Sequence, residues 1–113
     1  MKLGKFRGIL ELADEHGAGD NLLFFSDQDG DLYTVHDYLD INDGRRLSLL
    51  TSHDGDTPLS ICEVLEMFED YRNYMDLYVI DSRLELAFAL VDFHVDDDGD
   101  LVFDIIYNPD ALQ

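Results

Sequence analysis

The sequence predicts an α+β fold in which two α-β-β-β repeats form antiparallel sheet, either one or two sheets, covered by two helices. The first observation is an internal repeat. Sliding the 113-residue chain along itself by 55 residues aligns segments at about 3–52 and 58–107 without a gap. The second observation is that each segment holds one helical pattern followed by three strand-like stretches. We therefore expect a single domain over residues 1–113, built by duplication.

Each repeat begins with apolar residues at the i, i+3, i+4, i+7 spacing of a helix with one buried face. The second helix has the clearer start, because Ser60 and Glu63 fit a capping box that follows Pro58. We expect this helix to reach about Tyr71, and the first helix to end near Gly17. The two aligned stripes are Phe6, Ile9, Leu10 and Ala13 in the first repeat and Ile61, Val64, Leu65 and Phe68 in the second.

Six strands are predicted, over residues 21–26, 32–41 and 46–51 in the first repeat and 76–81, 84–95 and 101–107 in the second. Short turns with Asp or Asn before Gly separate several of them, at 29–30, 42–44 and 97–99. These residues readily adopt the positive φ that tight turns require. Residues 84–91 are apolar on both faces, which predicts a central strand covered on both sides.

Charge is the strongest indication of function. The chain has 26 acidic and 7 basic residues, a formal net charge of −19, while 46% of its residues are hydrophobic and suffice for a core. Such a surface repels nucleic acid and anionic membranes and attracts basic proteins. One cysteine excludes an internal disulfide, and we find no signal peptide or membrane-spanning run. We therefore expect a cytoplasmic protein that binds neither membrane nor nucleic acid directly.

Three Asp-Gly-Asp clusters, at 29–31, 54–56 and 98–100, first suggest calcium binding. An EF-hand loop needs oxygen ligands at positions 1, 3 and 5, glycine at 6 and an acid at 12. Placing Gly30 at position 6 puts Phe25 at 1 and His36 at 12, and placing Gly99 there puts His94 and Ile105 at those positions. We therefore interpret the clusters as acidic turns, and expect no metal and no other cofactor.

No pattern in the chain indicates catalysis, so we expect that it is not an enzyme. Histidines at 16, 36, 53 and 94 lack the spacing of a metal or hydrolytic site. No basic neighbour is present in the sequence to lower the pKa of Cys62. Carboxylate pairs of the glycosidase kind carry no information among 26 acids, and a glycine-rich phosphate loop is absent.

The acids are unevenly placed, with a net charge of −7 over residues 1–56 and −12 over residues 57–113. In its acid density, on a compact fold without a catalytic motif, the chain resembles the small acidic proteins by which phages and mobile elements block host nucleases. These are DNA mimics, anti-restriction proteins and anti-CRISPR proteins. The resemblance implies a non-enzymatic inhibitor that covers the basic nucleic-acid-binding surface of a nuclease or CRISPR-type effector. The residues that carry the resemblance, and that we expect to contact the partner, are Asp27, Asp29, Asp31, Asp96, Asp97, Asp98 and Asp100.

Two other interpretations remain open. An immunity or antitoxin protein would neutralise a basic toxin by the same electrostatic attraction. An accessory phage protein, or a protein adapted to salt, would use its acids only for solubility. The repeat also suits a homodimer or a symmetric target, and for a phage-encoded protein the compartment would be the bacterial host cytoplasm.

Overall fold

The computed structural model describes residues 1–40, 46–52, 58–68, 73–81 and 86–108. In chain order, its helical and strand elements are α1 (Leu3–Ala13), a π-helical turn (Asp14–Ala18), β1 (Leu23–Ser26), β2 (Leu32–Asp40), β3 (Arg46–Ser52), α2 (Ile61–Met67), β4 (Asp76–Asp81), β5 (Leu86–Val95) and β6 (Leu101–Tyr107). Within these ranges, no helix has the length and apolar character needed to cross a membrane.

The six strands form one closed barrel in the order β1-β2-β3-β4-β5-β6. Four neighbouring pairs are antiparallel, but β3 pairs with β4 in parallel, and β6 closes the barrel by pairing in parallel with β1. The predicted fold class, antiparallel sheet covered by two helices, is therefore wrong. The physical reason lies in the connections. The chain between β3 and β4 passes through α2, and a crossover of this kind returns the next strand in the same direction.

Both helices lie at one end of the barrel, where the four parallel strands begin. The N–H of Leu3, in α1, donates to the Met75 carbonyl just before β4, and the N–H of Ile61, in α2, donates to the Asn21 carbonyl just before β1. We call this the helical end. At the opposite, far end, where β1 and β4 finish, no helix lies among the residues that the structure describes.

The core fills the barrel and the space under the helices. Phe6 of α1 lies between Phe103 of β6, with ring centroids 4.8 Å apart, and Phe68 after α2, at 6.2 Å. Burial alternates from residue to residue along β1 and β4, as the period of two requires. The largest fully buried side chains are Phe6, Phe25, Phe68, Phe103, Leu3, Leu10, Leu23, Leu47, Leu49, Ile61, Leu77 and Ile105.

The two helices dock through matched hydrogen bonds, each on a strand of the other half of the chain. Besides the pair above, the Gly4 N–H donates to the Asn73 carbonyl, and the Cys62 N–H donates to the Gly19 carbonyl, both at 3.0 Å. The ladders match too, since β2 has a bulge between Val35 and Asp37 and β5 has one between Leu90 and Asp92. These correspondences relate the two halves by an approximate twofold axis. The duplication itself stays a prediction.

The capping box at the start of α2 is confirmed: Ser60 Oγ accepts from the Glu63 N–H, and Glu63 Oε1 accepts from the Ser60 N–H, both at 3.2 Å. α2 ends at Met67, four residues before the expected Tyr71, which lies outside the described residues. α1 ends at Ala13 and continues as the π-helical turn, in which Gly17 has φ 87°.

The buried helix faces differ in part from the predicted stripes. Leu3, Phe6 and Leu10 are buried in α1, and Ile61 and Val64 in α2, whereas Ile9, Ala13 and Leu65 are only partly covered. The strands match their predicted spans to within two residues at the described ends. The predicted turns at 42–44 and 54–56 lie outside the described residues.

Candidate functional site

Two turns with the same pattern, Asp-x-Asp-Gly-Asp, carry the predicted contact residues. We call residues 27–31, between β1 and β2, the first acidic turn, and residues 96–100, between β5 and β6, the second acidic turn. In the first, Asp27 Oδ1 accepts from the N–H groups of Asp29 and Asp31, each at 3.0 Å. In the second, Asp96 Oδ1 accepts from the N–H groups two and four residues on, each at 2.9 Å.

A glycine completes each turn in the left-handed region, with φ 85° at Gly30 and 84° at Gly99. The glycine N–H donates to the carbonyl of the first Asp of its turn at 3.1 Å in both cases. A side chain at this φ would be strained, which explains why both turns use glycine. The sequence pattern therefore predicted both turns correctly.

The seven predicted contact residues fall into two groups, according to whether their carboxylates accept backbone hydrogen bonds. Asp27 and Asp96 hold the turns together, and Asp100 Oδ1 accepts from the Leu22 N–H at 2.9 Å. The other four carboxylates take no part in these turn hydrogen bonds, and their residues are exposed. These four are Asp29, Asp31, Asp97 and Asp98.

The two acidic turns lie at opposite ends of the barrel wall. β6 pairs with β1 in parallel from Leu23 opposite Leu101 to Ser26 opposite Asp104. The second turn therefore lies beside the start of β1, where the Asn21 side chain donates to the Gly99 carbonyl at 2.6 Å. The first turn follows the end of β1, about 17 Å farther along for five residues of extended chain. The predicted contact residues form two patches.

The first acidic turn borders a cavity of about 330 Å³ at the far end, which we call the far-end pocket. Three aromatic rings form a continuous wall: the centroids of Tyr33 and Phe88 are 5.9 Å apart, and those of Phe88 and Tyr107 are 6.3 Å apart. The lining residues are Asp27, Gln28, Asp29, Asp31, Tyr33, Leu86, Phe88 and Tyr107.

Tyr33 connects the aromatic wall to the acidic turn. Its hydroxyl donates to Asp27 Oδ2 at 3.1 Å, and its side chain is buried. Burial, this hydrogen bond and the nearby negative charges of Asp27, Asp81 and Asp31 together raise the pKa of Tyr33 to about 12. The phenol therefore stays neutral, as a donor, across the physiological range of pH.

The sequence did not identify Leu86, Phe88 and Tyr107 as pocket residues, nor Tyr33 as their neighbour. A signal was present. These three residues stand at alternate positions near the start of β5 and the end of β6, and the β5–β6 register pairs Phe88 with Tyr107. They come together because the barrel closes, and the predicted fold did not include this closure.

The groups weighed for catalysis lie apart. His16 lies in the π-helical turn, His36 on β2 and His94 on β5, while His53 is outside the described residues. His94 Nδ1 lies 3.6 Å from Asp104 Oδ1 on the neighbouring strand. Cys62 Sγ donates to Asp14 Oδ1 at 3.2 Å, and this hydrogen bond, with burial and the surrounding acids, raises the pKa of the thiol. A raised pKa is the reverse of what a nucleophile needs.

Among the described residues, one cluster brings carboxylates close enough for a cation. Oxygens of Asp96, Asp98 and Asp100 lie within 4.8 Å of one another. Asp96 Oδ1 already accepts two backbone N–H groups and Asp100 Oδ1 accepts a third, so the turn itself accounts for their convergence.

Part of β5 presents apolar side chains to solvent. In the ladders that the structure describes, β4 pairs with residues 86–89 of β5, and residues 92–95 pair with β6 alone. Val91, Phe93 and Val95 are 50%, 41% and 64% exposed. The Phe93 N–H donates to the side chain of its own neighbour, at Asp92 Oδ1, over 2.8 Å.

The remaining acids stay on the surface. Of the acidic residues whose burial the structure describes, Asp81 is the only one that is buried. The described acids other than Asp81 are therefore exposed or partly exposed, on a molecule with extents of 38 × 31 × 22 Å. No protein-family model matches this chain, and no curated protein or solved structure matches it either.

Proposed function

We propose that this protein is a non-enzymatic inhibitor that binds the basic nucleic-acid-binding surface of a nuclease or CRISPR-type effector in place of DNA. The observation that carries the proposal is the outward display of acid: a net charge of −19 on 113 residues, with Asp81 the only buried acid among the residues described. Holding so many like charges on a small fold costs stability through self-repulsion, and a basic partner relieves that cost.

The dimensions suit this role. The longest extent, 38 Å, is close to one turn of B-DNA, about 34 Å. Exposed carboxylates stand at both ends of the barrel, at Asp29 and Asp31 and at Asp97 and Asp98. The two turns lie about 17 Å apart along the barrel wall, so a DNA-binding surface that reads phosphates along a groove would meet negative charge over about half a turn of DNA.

The partner would be a basic protein, and the compartment the cytoplasm, that of the bacterial host if the chain is phage-encoded. A homodimer remains a second prediction. The exposed part of β5 around Phe93 is the described surface that best fits it, and light scattering of the purified protein measures the mass directly.

Affinity capture tests the proposal. The tagged protein is used as bait in bacterial lysate at low and high salt, and retained proteins are identified by mass spectrometry. We expect a nucleic-acid enzyme retained through high salt, whose cleavage of DNA then falls as the bait is added in stoichiometric amount. General loss of many basic proteins as salt rises, with none retained, would contradict the proposal.

Matched charge variants separate a specific surface from bulk charge. The turn variant replaces Asp29, Asp31, Asp97 and Asp98 with Asn, sparing the carboxylates that hold the turns. The control variant replaces four exposed acids outside both turns, Glu11, Glu15, Asp20 and Glu66, with Gln or Asn. Each variant lacks four negative charges. We expect only the turn variant to lose both the retention of the partner at high salt and the inhibition of DNA cleavage.

A further inference from the structure

The geometry points to the far-end pocket as a binding site for an arginine side chain of the basic partner. This inference rests on the proposed function for the origin of the ligand, because the arginine belongs to the protein that the inhibitor covers. It adds a specific contact to a general electrostatic attraction. The pocket joins two features that a guanidinium recognises, an aromatic wall and carboxylates beside it.

The aromatic wall supplies the first feature. Tyr33 and Phe88 are 6% exposed and form its inner part, whereas Tyr107 is 53% exposed and stands at its outer edge. The Phe88 and Tyr107 rings meet nearly edge to face, with an interplanar angle of 73°. A cation near such a wall is attracted by the ring quadrupoles, and this attraction grows as the site loses water.

The first acidic turn supplies the second feature. Asp27 is occupied by the turn N–H groups and by the Tyr33 hydroxyl, which fixes the turn against the wall. Asp29 and Asp31 also line the pocket, and both residues are exposed. Among the residues that the structure describes, no Lys or Arg lines the cavity. The charge of the pocket is therefore complementary to a cation from outside.

Arginine suits the pocket better than lysine or a metal ion. A guanidinium is planar, so it stacks on a ring while its edge donates to two carboxylates, whereas an ammonium is a strongly hydrated point charge. The cavity volume of about 330 Å³ also exceeds what an ion needs. The second acidic turn has the same carboxylate pattern, but its hydrogen bonds join it to the Asn21 side chain and the Leu22 backbone instead of to a tyrosine.

The test uses small probes and the intact protein, labelled with ¹⁵N for amide NMR spectra. The probe is Nα-acetyl-arginine methylamide, with the citrulline analogue as its neutral counterpart and the lysine analogue as the other cation. We expect saturable shifts at residues 27–33, 86–88 and 107. We also expect binding at least about tenfold weaker for the citrulline analogue and weaker for the lysine analogue.

Three variants locate the site. D29N/D31N should weaken arginine binding several-fold, while the control D97N/D98N removes the same charge from the other turn and should leave binding within twofold. Tyr107→Leu keeps an apolar side chain but removes the ring, and should also weaken binding. The same spectra show whether each variant is folded, and if Tyr107→Leu does not fold, Tyr107→Phe should retain binding.

Several results would overturn the inference: absence of saturable shifts, equal binding of the citrulline analogue, or equal effects of the two double variants. Equal binding of the lysine analogue would overturn the choice of arginine. A failed pocket together with successful lysate capture would reject this inference and leave the proposed function standing. Arginine binding in the pocket, with no nucleic-acid enzyme captured, would reject the proposed function and leave the pocket as an arginine site.

Discussion

The two acidic turns share a five-residue pattern and the same backbone hydrogen bonds, yet they differ in what each one contacts. The second turn is fastened to the chain before β1, through Asn21 and Leu22. The first turn is fastened through Asp27 to Tyr33, and so to the aromatic wall of the far-end pocket. The comparison teaches that the motif specifies the turn, whereas the neighbours decide whether its free carboxylates border a binding pocket.

Removing the first Asp of each turn should cost more stability than changing the turn glycine. Asp96→Ala loses the acceptor of two N–H groups and should lower the free energy of unfolding by about 1.5 kcal/mol. Asp27→Ala loses the same two bonds and also the partner of the buried Tyr33 hydroxyl, so we expect a loss of about 2.5 kcal/mol. Urea denaturation measures both free energies of unfolding. Equal losses in the two variants would mean that the hydrogen bond to Tyr33 adds nothing to stability.

The turn glycines offer the same size of contrast, with smaller losses at each position. Gly30→Ala should cost about 1 kcal/mol, because alanine is strained at positive φ while space around the new Cβ is open. Gly99→Ala carries the same strain, and its Cβ would also stand 3.1 Å from Asn21 Nδ2, which donates to the Gly99 carbonyl. We expect about 2 kcal/mol there. A smaller loss at Gly99 than at Gly30 would show that Asn21 moves aside freely.

A further effect appears at alkaline pH and belongs to the first turn alone. The folded pKa of Tyr33, about 12, lies above the usual value of about 10 for an unfolded chain. The resulting stabilisation is complete below pH 10 and is lost as the pH rises from about 10 to about 12. In Tyr33→Phe, the free energy of unfolding should fall less steeply with pH over this window than in the wild type. An unchanged pH profile would contradict the shift.

Local features of this fold were readable from the sequence because neighbouring residues determine them. The capping box at Ser60 and Glu63 and the positive φ at Gly30 and Gly99 depend on a few adjacent residues, and all are as predicted. The period of two along a strand identifies the inner face of a strand but not its partner. β1 and β6 lie 78 residues apart at Leu23 and Leu101, and no local pattern indicates that they pair.

The candidate site divides in the same way. That Asp27 and Asp96 would hold their turns follows from the preference of Asp for the first position of a turn. That Phe88 and Tyr107 would stand near Tyr33 depends on closure of the barrel, which the predicted antiparallel sheet did not include. One indication was available: the helix between the third and fourth strands is the usual sign of a parallel connection.

The crossed docking of the two helices has a consequence for how the molecule folds. Because Leu3 is bonded beside β4 and Ile61 beside β1, a fragment that ends before α2 would leave its own helix without the strand that receives it. Neither half is a self-sufficient folding unit, so the barrel should form and melt in a single cooperative step. The β1–β6 pairing that closes the barrel and the docking of both helices join distant parts of the chain, which predicts slower folding than the consecutive strand pairs alone would give.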